Sequence, residues 1–588
     1  MQYDISRDSL ISLFVRRVQL DGPRQALFVP RQGQYVAITW DEVADEVRAA
    51  AVALEGLGVK PGDRVIQVAE NRFEWIVADL AILMARAVHV PVHASLTGTQ
   101  IAYQIADSGA AVVLVSTADQ ARKLADQLPE RRADLQVVMY DPLPDSESQA
   151  TMMLAGFPPV RRLADLIQDV RSVSDAGTPR RAFPTEAIGR PATEAIQQRA
   201  LEGTRPEDLA TILYTSGTTG EPKGVMLTQR NLVHNTCVTM AAFSVSSDDL
   251  RLTWLPLSHI FARTCDLYAW IVAGNQLALA ESRETILANC AQLSPTLMNG
   301  VPYFFDKLLR YLTEKGEADR PGSLQKLLGG RMRFINSGGA ALPDHLATFF
   351  QSHDVLLVQG YGLTETSPVM TVNTDSVHKL GTVGRPIADV EVRIADDGEI
   401  ITRGPHVMAG YWNKPQATSE AIRDGWFYTG DLGSLDSEGF LKITGRKKEL
   451  IVLASGKNIA PVYLESLLTQ EPLIAQALVI GDGRNYLTAL IVPNFDLLKA
   501  ELTSRGLQYT FPGEWLEKPL VRDLYAQRVA ERLTVVSQPE QVRKFWLLER
   551  PFTLESGELT PTLKLRRGEI GKHYAAEIEA MYAGAVIQ

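Results

Sequence analysis

YTSGTTGEPKG, residues 214–224, is the stretch that decides how the rest of the chain is interpreted. It follows an apolar run at residues 209–213 that predicts a buried strand, and it precedes a predicted helix that starts at Thr228. Glycine lets a backbone approach a ligand closely, and successive N–H groups in such a loop form a concavity for anions. With its hydroxyl groups and the mobile charge of Lys223, the stretch indicates a loop that wraps the phosphates of a nucleotide.

The stretch is not a Walker A loop, because that pattern requires GxxxxGK followed by Ser or Thr, and here Lys223 is followed by Gly224. A flexible surface loop is the plain alternative, but six unbroken hydroxyl or glycine positions with PKG close behind disfavour it. The run resembles the phosphate loop of the adenylate-forming superfamily, which includes acyl-CoA synthetases, luciferases and peptide-synthetase adenylation domains. The resemblance implies nucleotide contacts from Thr215, Ser216, Gly217, Thr218, Thr219, Gly220 and Lys223.

Length and charge narrow the class of protein. A chain of 588 residues is too long for one hydrophobic core, so we expect at least two domains. The formal net charge of -10 does not favour nucleic-acid binding, which needs a basic surface. Three isolated cysteines, Cys237, Cys265 and Cys290, are too few for a disulfide framework and fit a reducing cytoplasm.

No signal peptide or membrane span is predicted. The first residues include acidic side chains and lack a basic segment followed by an apolar one. The most apolar run, residues 75–92, is interrupted by Asp79 and Arg86, and we expect a buried helix that passes into a strand. Peripheral contact with the inner face of a membrane, and a monomeric or homodimeric state, remain open at this point.

The order of predicted elements indicates an α/β fold followed by an α+β domain. A capping box at Thr39 and Glu42 starts a helix, and helices then alternate with short buried strands at residues 64–68, 88–92, 111–115 and 136–140. This alternation predicts mostly parallel sheets with helices on both faces. Residues 144–207 are less regular, with one helix expected near residues 160–170. Beyond residue 449, a helix at 461–469, strands at 475–480 and 487–492, and a largely helical stretch at 494–539 predict a compact α+β domain.

Two glycine turns follow predicted strands downstream of the phosphate loop. Residues 334–342 (FINSGGAAL) and 355–366 (VLLVQGYGLTET) both end a strand in glycines. Glycines around Tyr361 leave room for a flat base, Thr364 offers a hydroxyl to a phosphate, and Glu365 offers a hard oxygen to Mg²⁺. We therefore predict nucleotide contacts from Gly338, Gly339, Ala340, Gln359, Gly360, Tyr361, Gly362 and Thr364.

The resemblance implies a functional role for two further residues, His259 and Asp431. His259 lies at a strand end in PLSHIFAR, which resembles the segment that adenylate-forming enzymes place beside the carboxylate being activated. A satisfied structural histidine is the alternative. Asp431, in YTGD, resembles the ribose-binding acid of the family, although an Asp in a glycine-rich loop is more often a turn former.

The end of the chain resembles a small mobile domain. We predict an N-terminal adenylation domain at residues 1–444, a hinge at 445–448 and a C-terminal domain at 449–588. The resemblance implies that Arg446 contacts ribose and phosphate, that Lys448 is the hinge position, and that the loop containing Gly456 faces the pantetheine arm of CoA. It also implies that Lys564, in LTPTLK, is the catalytic lysine, although Leu563 replaces the usual glycine. For Arg566 and Arg567 two interpretations stay open: they contact the phosphates of CoA, or they face solvent.

The resemblance implies activation of a carboxylic acid by ATP, followed by transfer of the acyl group to CoA. Lys564, the phosphate loop and Mg²⁺ on Glu365, with Thr215 as a second metal contact, would stabilise charge on the α-phosphate. The motifs KKELIVLASGKNIAP and LTPTLK are similar to bacterial long-chain fatty acid–CoA ligases. Open alternatives are an aryl- or medium-chain acyl-CoA ligase, a fatty acyl-AMP ligase, and a non-catalytic nucleotide-binding regulator. Candidates for an acyl tunnel wall are Trp254, Phe261, Met298, Val301, Pro302 and Met370.

Overall fold

Two sheets of mainly parallel strands organise the N-terminal domain in the computed structural model, which describes residues 3–127, 135–142, 160–176, 190–215, 221–507, 512–553, 555–559 and 565–583. Within these residues the larger sheet has nine strands, and its six middle strands are parallel. In spatial order the strands are Arg385–Pro386, Val369–Val372, Leu356–Gly362, Phe334–Ser337, Leu297–Gly300, Leu250–Thr253, Gln276–Leu279, Gln25–Arg31 and Gln34–Thr39.

The second sheet carries the strands that flank the phosphate-loop segment. Its eight strands, counted over the described ranges, run in the order Gly410–Tyr411, Lys223–Thr228, Leu209–Thr215, Val88–Val92, Arg64–Val68, Val112–Val115, Gln136–Met139 and Arg161–Arg162. The pairings from Leu209–Thr215 onward are parallel. All five residues of Val88–Val92 are buried, as expected for a parallel strand covered on both faces. The predicted α/β architecture is confirmed.

Helices cover both sheets, and the helix predicted from the capping box at Thr39 begins where the sequence predicts. The Thr39 hydroxyl accepts a hydrogen bond from the Glu42 amide at 3.2 Å, and the Glu42 carboxylate accepts one from the Thr39 amide at 2.7 Å. No described helix is both long and apolar enough to cross a membrane. The α-helices of this domain are Leu10–Asp21, Trp40–Gly56, Phe73–Met84, Gly98–Ser108, Ala118–Gln127, Leu163–Ala176, Arg190–Gly203, Gln229–Ala241, Ile260–Ala262, Ala269–Ala273, Ile286–Leu293, Pro302–Glu314, Ser323–Leu327, Asp344–Gln351 and Pro415–Ala421, with a π-helical segment at Arg263–Tyr268.

Two local expectations differ from the structure. His259 was expected at the end of a strand, but the strand Leu250–Thr253 ends six residues before it, because a bend at Leu255 and a turn at Leu257–Ser258 follow the strand. The less regular stretch at 144–207 contains the expected helix, Leu163–Ala176, but also the helix Arg190–Gly203, which was not predicted. Residues 143–159 and 177–189 of that stretch lie outside the described residues.

A third, antiparallel sheet leads to the small C-terminal domain. It consists of Glu391–Ile394, Glu399–Arg403, Trp426–Leu435, Ile422–Arg423 and Leu441–Arg446. The small domain has strands Ile451–Val452, Asn458–Ile459, Ile474–Ile480, Leu487–Pro493 and Val542–Leu547. Its helices are Pro461–Leu468, Phe495–Ser504, Pro512–Leu516, Pro519–Arg532, Arg567–His573 and Ala575–Tyr582, which confirms the predicted α+β character.

The hydrophobic clusters of the two domains are separate. The clusters of the large domain draw their buried residues from positions up to Leu441, and those of the small domain start at Ile451. A short 3₁₀ turn, Lys447–Glu449, lies between them. This separation supports the predicted boundary at residues 445–448, which stays a prediction.

Candidate active site

A cleft of about 2410 Å³ lies between the ends of the sheets and the small domain, and most of the predicted site residues border it. The strands Leu297–Gly300 and Phe334–Ser337 end side by side, because Gly300 is in register with Ser337, and Ser337 pairs with Gln359 of the strand Leu356–Gly362. The predicted turn after Ser337 opens at this sheet edge, where ligands of α/β sheets gather. Gly360 and Gly362 instead continue their strand, because they pair with Val372 and Val369, so the second predicted turn is wrong.

The glycines at this edge are required by close contacts. Gly339 has a φ of +78°, which side-chain-bearing residues rarely adopt. A Cβ at Gly338 would lie 2.7 Å from the ring of Phe261, and one at Gly362 would lie 1.7 Å from the Pro368 carbonyl oxygen. Any side chain at these positions would displace the walls of the cleft.

Tyr361, Asp431 and Arg446 form a connected group on one wall. The Tyr361 hydroxyl donates a hydrogen bond of 2.6 Å to Asp431 Oδ2, and Arg446 Nε lies 2.9 Å from Asp431 Oδ1. Asp431 and Arg446 are register partners of neighbouring strands. Burial, followed by the charge of Asp431, raises the pKa of Tyr361 well above its ordinary value, so the phenol stays protonated as a donor. The structure brings together three predicted nucleotide contacts from distant parts of the chain.

Glu365 and Lys223 both contact Tyr411, a residue that the sequence analysis did not single out. Thr364 and Glu365 lie in a 3₁₀ turn, Thr364–Thr366, and Glu365 Oε1 accepts a hydrogen bond of 2.9 Å from Tyr411. Lys223 Nζ lies 4.8 Å from the centre of the same Tyr411 ring. Burial raises the pKa of Glu365. Tyr411 lies on the short strand Gly410–Tyr411, which pairs with Lys223–Thr228, so it joins the metal candidate to the phosphate-loop flank.

The phosphate loop itself is described only at its ends. Thr215 ends one strand and Lys223 starts the next, and these antiparallel strands pair Thr215 with Lys223. The Thr215 hydroxyl donates a hydrogen bond of 3.4 Å to the Lys223 carbonyl, and both residues border the cleft. The predicted contacts Ser216, Gly217, Thr218, Thr219 and Gly220 lie outside the described residues.

His259 borders the cleft at the start of the helix Ile260–Ala262. Its Nδ1 accepts a hydrogen bond of 3.2 Å from the Phe261 amide, which fixes the ring at the helix start. The ring of His93 lies 6.3 Å away, and His93 Nδ1 is 2.9 Å from the hydroxyl of Ser258. Burial, with the charge of Arg283, lowers the pKa of His93 to about 4. The wall beside the predicted carboxylate position therefore carries a neutral imidazole next to His259.

A buried charge network lies directly behind His259 and was missed by the sequence analysis. Arg263 pairs with Asp79, donates a hydrogen bond of 2.7 Å to Thr211, and lies 2.9 Å from His89 Nδ1; Arg263, Asp79 and His89 are fully buried. Although burial opposes it, Arg263 holds the pKa of Asp79 below its usual range, while burial lowers the pKa of His89 to about 4. The signal available was Asp79 itself, a charge inside the apolar run 75–92.

Two residues of the small domain, Leu559 and Leu565, border the cleft. They flank the segment 560–564 and pair in an antiparallel bridge. Buried Glu558 fixes the base of this segment through Arg550, His573 and Ser556 at 2.7–2.9 Å. Burial alone would raise the pKa of Glu558, but these hydrogen bonds lower it to about 2. Lys564 itself lies outside the described residues.

Gly456 lies away from the cleft in this arrangement of the domains, whereas Arg566 and Arg567 border it. Gly456 has a φ of +79° in an exposed turn and is not among the described residues that border the cleft. Arg567 pairs with buried Glu465 and lies 3.7 Å from Glu449. The two alternatives for Arg566 and Arg567, contact with CoA phosphates or exposure to solvent, stay open.

Five of the six candidates for an acyl wall do not border the cleft. Of these candidates, all of them described, Phe261 alone borders it, and Met298 and Met370 are fully buried in the core. The helix Gln229–Ala241 borders the cleft with Thr236, Thr239 and Met240, and its residues are nearly all buried, so no apolar face marks the side that meets the cleft.

Comparisons with known proteins show the family of this chain. The sequence matches the family described as AMP-binding enzyme over residues 14–412, and the AMP-binding enzyme C-terminal domain over residues 448–509. It is 34% identical to the long-chain-fatty-acid–CoA ligase FadD15 of Mycobacterium bovis, over 94% of this chain and 93% of that protein. It is 27% identical to the long-chain-fatty-acid–CoA ligase 5 of Rattus norvegicus, over 99% and 90%.

Solved structures share the fold. The anthranilate CoA ligase AuaEII in complex with anthranoyl-AMP matches with a TM-score of 0.74 at 19% identity, over 98% of each chain. The adenylation domain of a carboxylate reductase from Mycobacterium chelonae matches with a TM-score of 0.76 at 24% identity, over 98% of this chain and 91% of that chain. The chain belongs to the AMP-binding, adenylate-forming enzyme family.

Proposed function

We propose that this protein is an ATP-dependent fatty acid–CoA ligase, most active on long-chain acids, that forms an acyl adenylate and transfers its acyl group to CoA. The observation that carries the proposal is the meeting of Tyr361, Asp431, Glu365 and Lys223 at one cleft in a chain that is 34% identical to FadD15 over nearly its whole length. ATP, the fatty acid and CoA are the substrates.

In the first step a carboxylate oxygen attacks the α-phosphorus of ATP, a phosphorus–oxygen bond to pyrophosphate breaks, and acyl-AMP forms. Two anions must approach each other, so fixed cations and N–H donors lower the barrier. Lys223 and Lys564 supply positive charge, and Thr364 supplies a hydroxyl. Tyr361 stacks on the base, while Asp431 accepts hydrogen bonds from the ribose hydroxyls. His259 lies beside the carboxylate.

Magnesium fits the residues present only if the nucleotide contributes ligands. Among the described residues, no group of three His, Cys, Asp or Glu side chains could hold a metal alone. Mg²⁺ in nucleotide enzymes commonly uses one or two carboxylates with substrate phosphates and water, which suits the single carboxylate of Glu365 with the Thr215 hydroxyl. When bound, the ion neutralises phosphate charge. Tyr411 orients the Glu365 carboxylate for this contact.

In the second step the sulfur of CoA bonds to the acyl carbon, the bond to AMP breaks, and the thiol proton leaves to solvent. The two steps need different surroundings at the same carbon. We infer that the small domain turns at Lys448, so that the Lys564 segment faces the cleft for the first step and the Gly456 loop for the second. The borders of the cleft at Leu559 and Leu565, with Gly456 outside it, support the first arrangement here.

Pyrophosphate release, measured over carboxylic acids of graded length and over aromatic acids, with and without CoA, tests the proposal. We expect release with long-chain acids and an acyl-CoA product when CoA is added. An aryl-CoA ligase would prefer aromatic acids, and a fatty acyl-AMP ligase would release pyrophosphate without forming a CoA thioester. No adenylate with any acid would overturn the proposal and favour a non-catalytic nucleotide-binding protein.

A further inference from the structure

Glu399 is a buried carboxylate on the wall of the cleft to which the proposed reaction assigns no role. Its residue is 5% exposed and borders the cleft. It lies beside the predicted ribose acid, because Glu399 is in register with Leu432, the residue that follows Asp431. Asp431 is itself 3% exposed, so one wall buries two carboxylates. Buried carboxylates need hydrogen bonds or cations, and the partners of Glu399 therefore indicate its role.

One oxygen of Glu399 holds the turn that carries Asp431. Glu399 Oε1 accepts a hydrogen bond of 2.8 Å from the amide of Gly430. Gly430 has a φ of +74°, so the chain turns sharply just before Asp431. The hydroxyl of Thr429 attaches the same turn to the strand of Glu399, because it donates a hydrogen bond of 2.7 Å to the Ile400 carbonyl. Glu399 thus helps to fix the backbone from which Asp431 would meet a ribose.

The other oxygen of Glu399 holds the residue before the predicted hinge. Lys447 Nζ donates a hydrogen bond of 2.8 Å to Glu399 Oε2. The preceding residue, Arg446, pairs with Asp431 at 2.9 Å. Two consecutive cations next to the hinge are therefore bound to the two carboxylates of this wall. Through Glu399, the backbone of the ribose turn is connected to the side chain of Lys447.

We propose that Glu399 is a positioning residue that couples nucleotide binding to the hinge. The inference rests on the proposed function, because it needs a nucleotide whose ribose is bound at Asp431. Such a ribose restricts the turn at Gly430, and the restricted turn keeps Glu399 in the position that binds Lys447. Coupling between two binding events is reciprocal, so the bound Lys447 also favours the turn that binds ATP. While nucleotide is bound, Lys447 stays attached to the large domain, and rotation is confined to the backbone beyond it.

The first test is limited cleavage by trypsin after Lys447, followed by mass spectrometry, with and without saturating ATP and Mg²⁺ and with no acid present. Trypsin takes the lysine side chain into its own pocket, so cleavage at this bond requires the pair with Glu399 to open. We expect ATP to slow this cleavage at least about fivefold in the unsubstituted protein. In Glu399→Gln the slowing should be less than about twofold, because a neutral amide does not bind the lysine charge.

Glu391→Gln is the matched control for this test. Glu391 lies in the neighbouring strand of the same sheet and pairs with Arg403, and it is not among the described residues that border the cleft. The substitution removes the same charge from an ion pair of the same sheet. The slowing of cleavage after Lys447 by ATP should equal that in the unsubstituted protein.

The second test separates the two bonds of Glu399 through the KM for ATP, measured from pyrophosphate release with hexadecanoate. Glu399→Gln keeps an oxygen that accepts from the Gly430 amide, so its KM should stay within about twofold. Glu399→Ala leaves this amide without its acceptor and should raise the KM about tenfold. The kcat of Glu399→Ala should change by less than about threefold, because Glu399 acts through the turn and not on the reacting phosphate.

The inference is overturned by any of three results: no slowing by ATP in the unsubstituted protein, full slowing in Glu399→Gln, or an unchanged KM in folded Glu399→Ala. If Glu399→Ala does not fold, Glu399→Gln still decides the first test. All three results leave the proposed function intact as long as the unsubstituted protein releases pyrophosphate with a fatty acid. No pyrophosphate from the unsubstituted protein with any acid would instead overturn the proposed function.

Discussion

Tyr361 and Asp431 are joined by a hydrogen bond of 2.6 Å, although they lie on different sheets and 70 positions apart. The bond holds the carboxylate in one orientation, while its other oxygen faces Arg446. Because a carboxylate has about four acceptor positions, Asp431 can keep these partners and still accept from ribose hydroxyls. We therefore expect the phenol to act on the nucleotide partly through Asp431.

Tyr361→Phe should raise the KM for ATP about tenfold, because a hydrogen bond to a charged group contributes roughly 1.5–3 kcal/mol and its loss frees the carboxylate. Tyr361→Ala should raise it further, by the roughly 1–3 kcal/mol of base stacking. Initial rates of pyrophosphate release against ATP concentration measure both. Tyr311→Phe, at an exposed tyrosine, is the control. An unchanged KM in Tyr361→Phe would assign the whole contribution to the ring.

Lys564→Ala should lower the rate of adenylate formation by about 10²–10³-fold, because it removes a cation aimed at the developing phosphate charge. Transfer of the acyl group from preformed acyl-AMP to CoA should stay within about twofold in the same variant, since the charge is not needed there. Single-turnover assays separate the two steps. Lys572→Ala, which removes an exposed lysine paired with Glu569, is the matched control. Equal losses in both steps would contradict the domain rotation.

The ion pairs of the residues on either side of Lys448 support the prediction that Lys448 is the hinge. Lys447 pairs with Asp397 and Glu399 of the large domain, whereas Glu449 lies 3.7 Å from Arg567 of the small domain. Lys448 therefore lies between a residue bound to the large domain and a residue bound to the small domain. Residues in a 3₁₀ turn have φ near the value that proline fixes, so Lys448→Pro is compatible with the present arrangement.

Lys448→Pro should therefore keep adenylate formation within about threefold and lower thioester formation by at least about tenfold, because the backbone loses the rotation that the second arrangement needs. Pyrophosphate release and acyl-CoA formation, measured separately, give the two rates. Lys448→Ala removes the same side chain but leaves the backbone free, and both of its rates should resemble those of the unsubstituted protein. Full thioester formation by Lys448→Pro would place the rotation elsewhere.

His406 predicts a pH dependence of stability. The side chain is fully buried, with Nε2 3.0 Å from the Thr402 hydroxyl, and burial, with the charge of His234, lowers its pKa to about 3. The unfolded chain binds a proton at His406 near pH 6.5, whereas the folded chain does not until about pH 3. The unfolded state thus binds more protons in this window, and the free energy of unfolding falls as pH is lowered.

The expected contribution of His406 is a loss of about 1.4 kcal/mol per pH unit as the pH falls below about 6. His406→Gln should remove this slope, because its amide does not titrate. Denaturant unfolding of both proteins between pH 7 and 5 checks the difference. His378→Gln, at an exposed histidine, is the control substitution. Parallel curves for His406→Gln and the unsubstituted protein would contradict the assignment.

The sequence predicts the sheet edge of the site well because its signals are local. A short apolar run that ends in glycine needs no distant information, so the strand Phe334–Ser337 and the turn after it follow from their own residues. The strand that was expected to end in a turn at Gly360 and Gly362 instead includes both, because they pair with the separate strand Val369–Val372. The identity of the nucleotide contacts came from the resemblance of the motifs, and the contacts of Ser216–Gly220 and Lys564 remain predictions.

The contacts that the sequence did not predict are formed between distant segments. Tyr411 lies on a two-residue strand whose pairing with Lys223–Thr228 has no local pattern, and its bond to Glu365 spans 46 positions. The residues that border the cleft on the helix Gln229–Ala241 were missed for another reason. This helix is buried on nearly all sides, so its hydrophobic periodicity does not mark one face. Apolar residues such as Met298 and Met370 were equally good candidates by composition, but they fill the core.

The buried network around Arg263 links the wall at His259 to the strand that leads to the nucleotide loop. Arg263 is one turn beyond His259, whose carbonyl accepts its amide at 3.1 Å, and it bonds to Thr211 in the strand that leads to the nucleotide loop. Removing one partner from a buried charge pair typically costs about 3–5 kcal/mol, so this attachment is stiff. We therefore expect a substitution next to His259 to affect the binding of the acid and of ATP together, because both walls of the cleft are attached to this buried network.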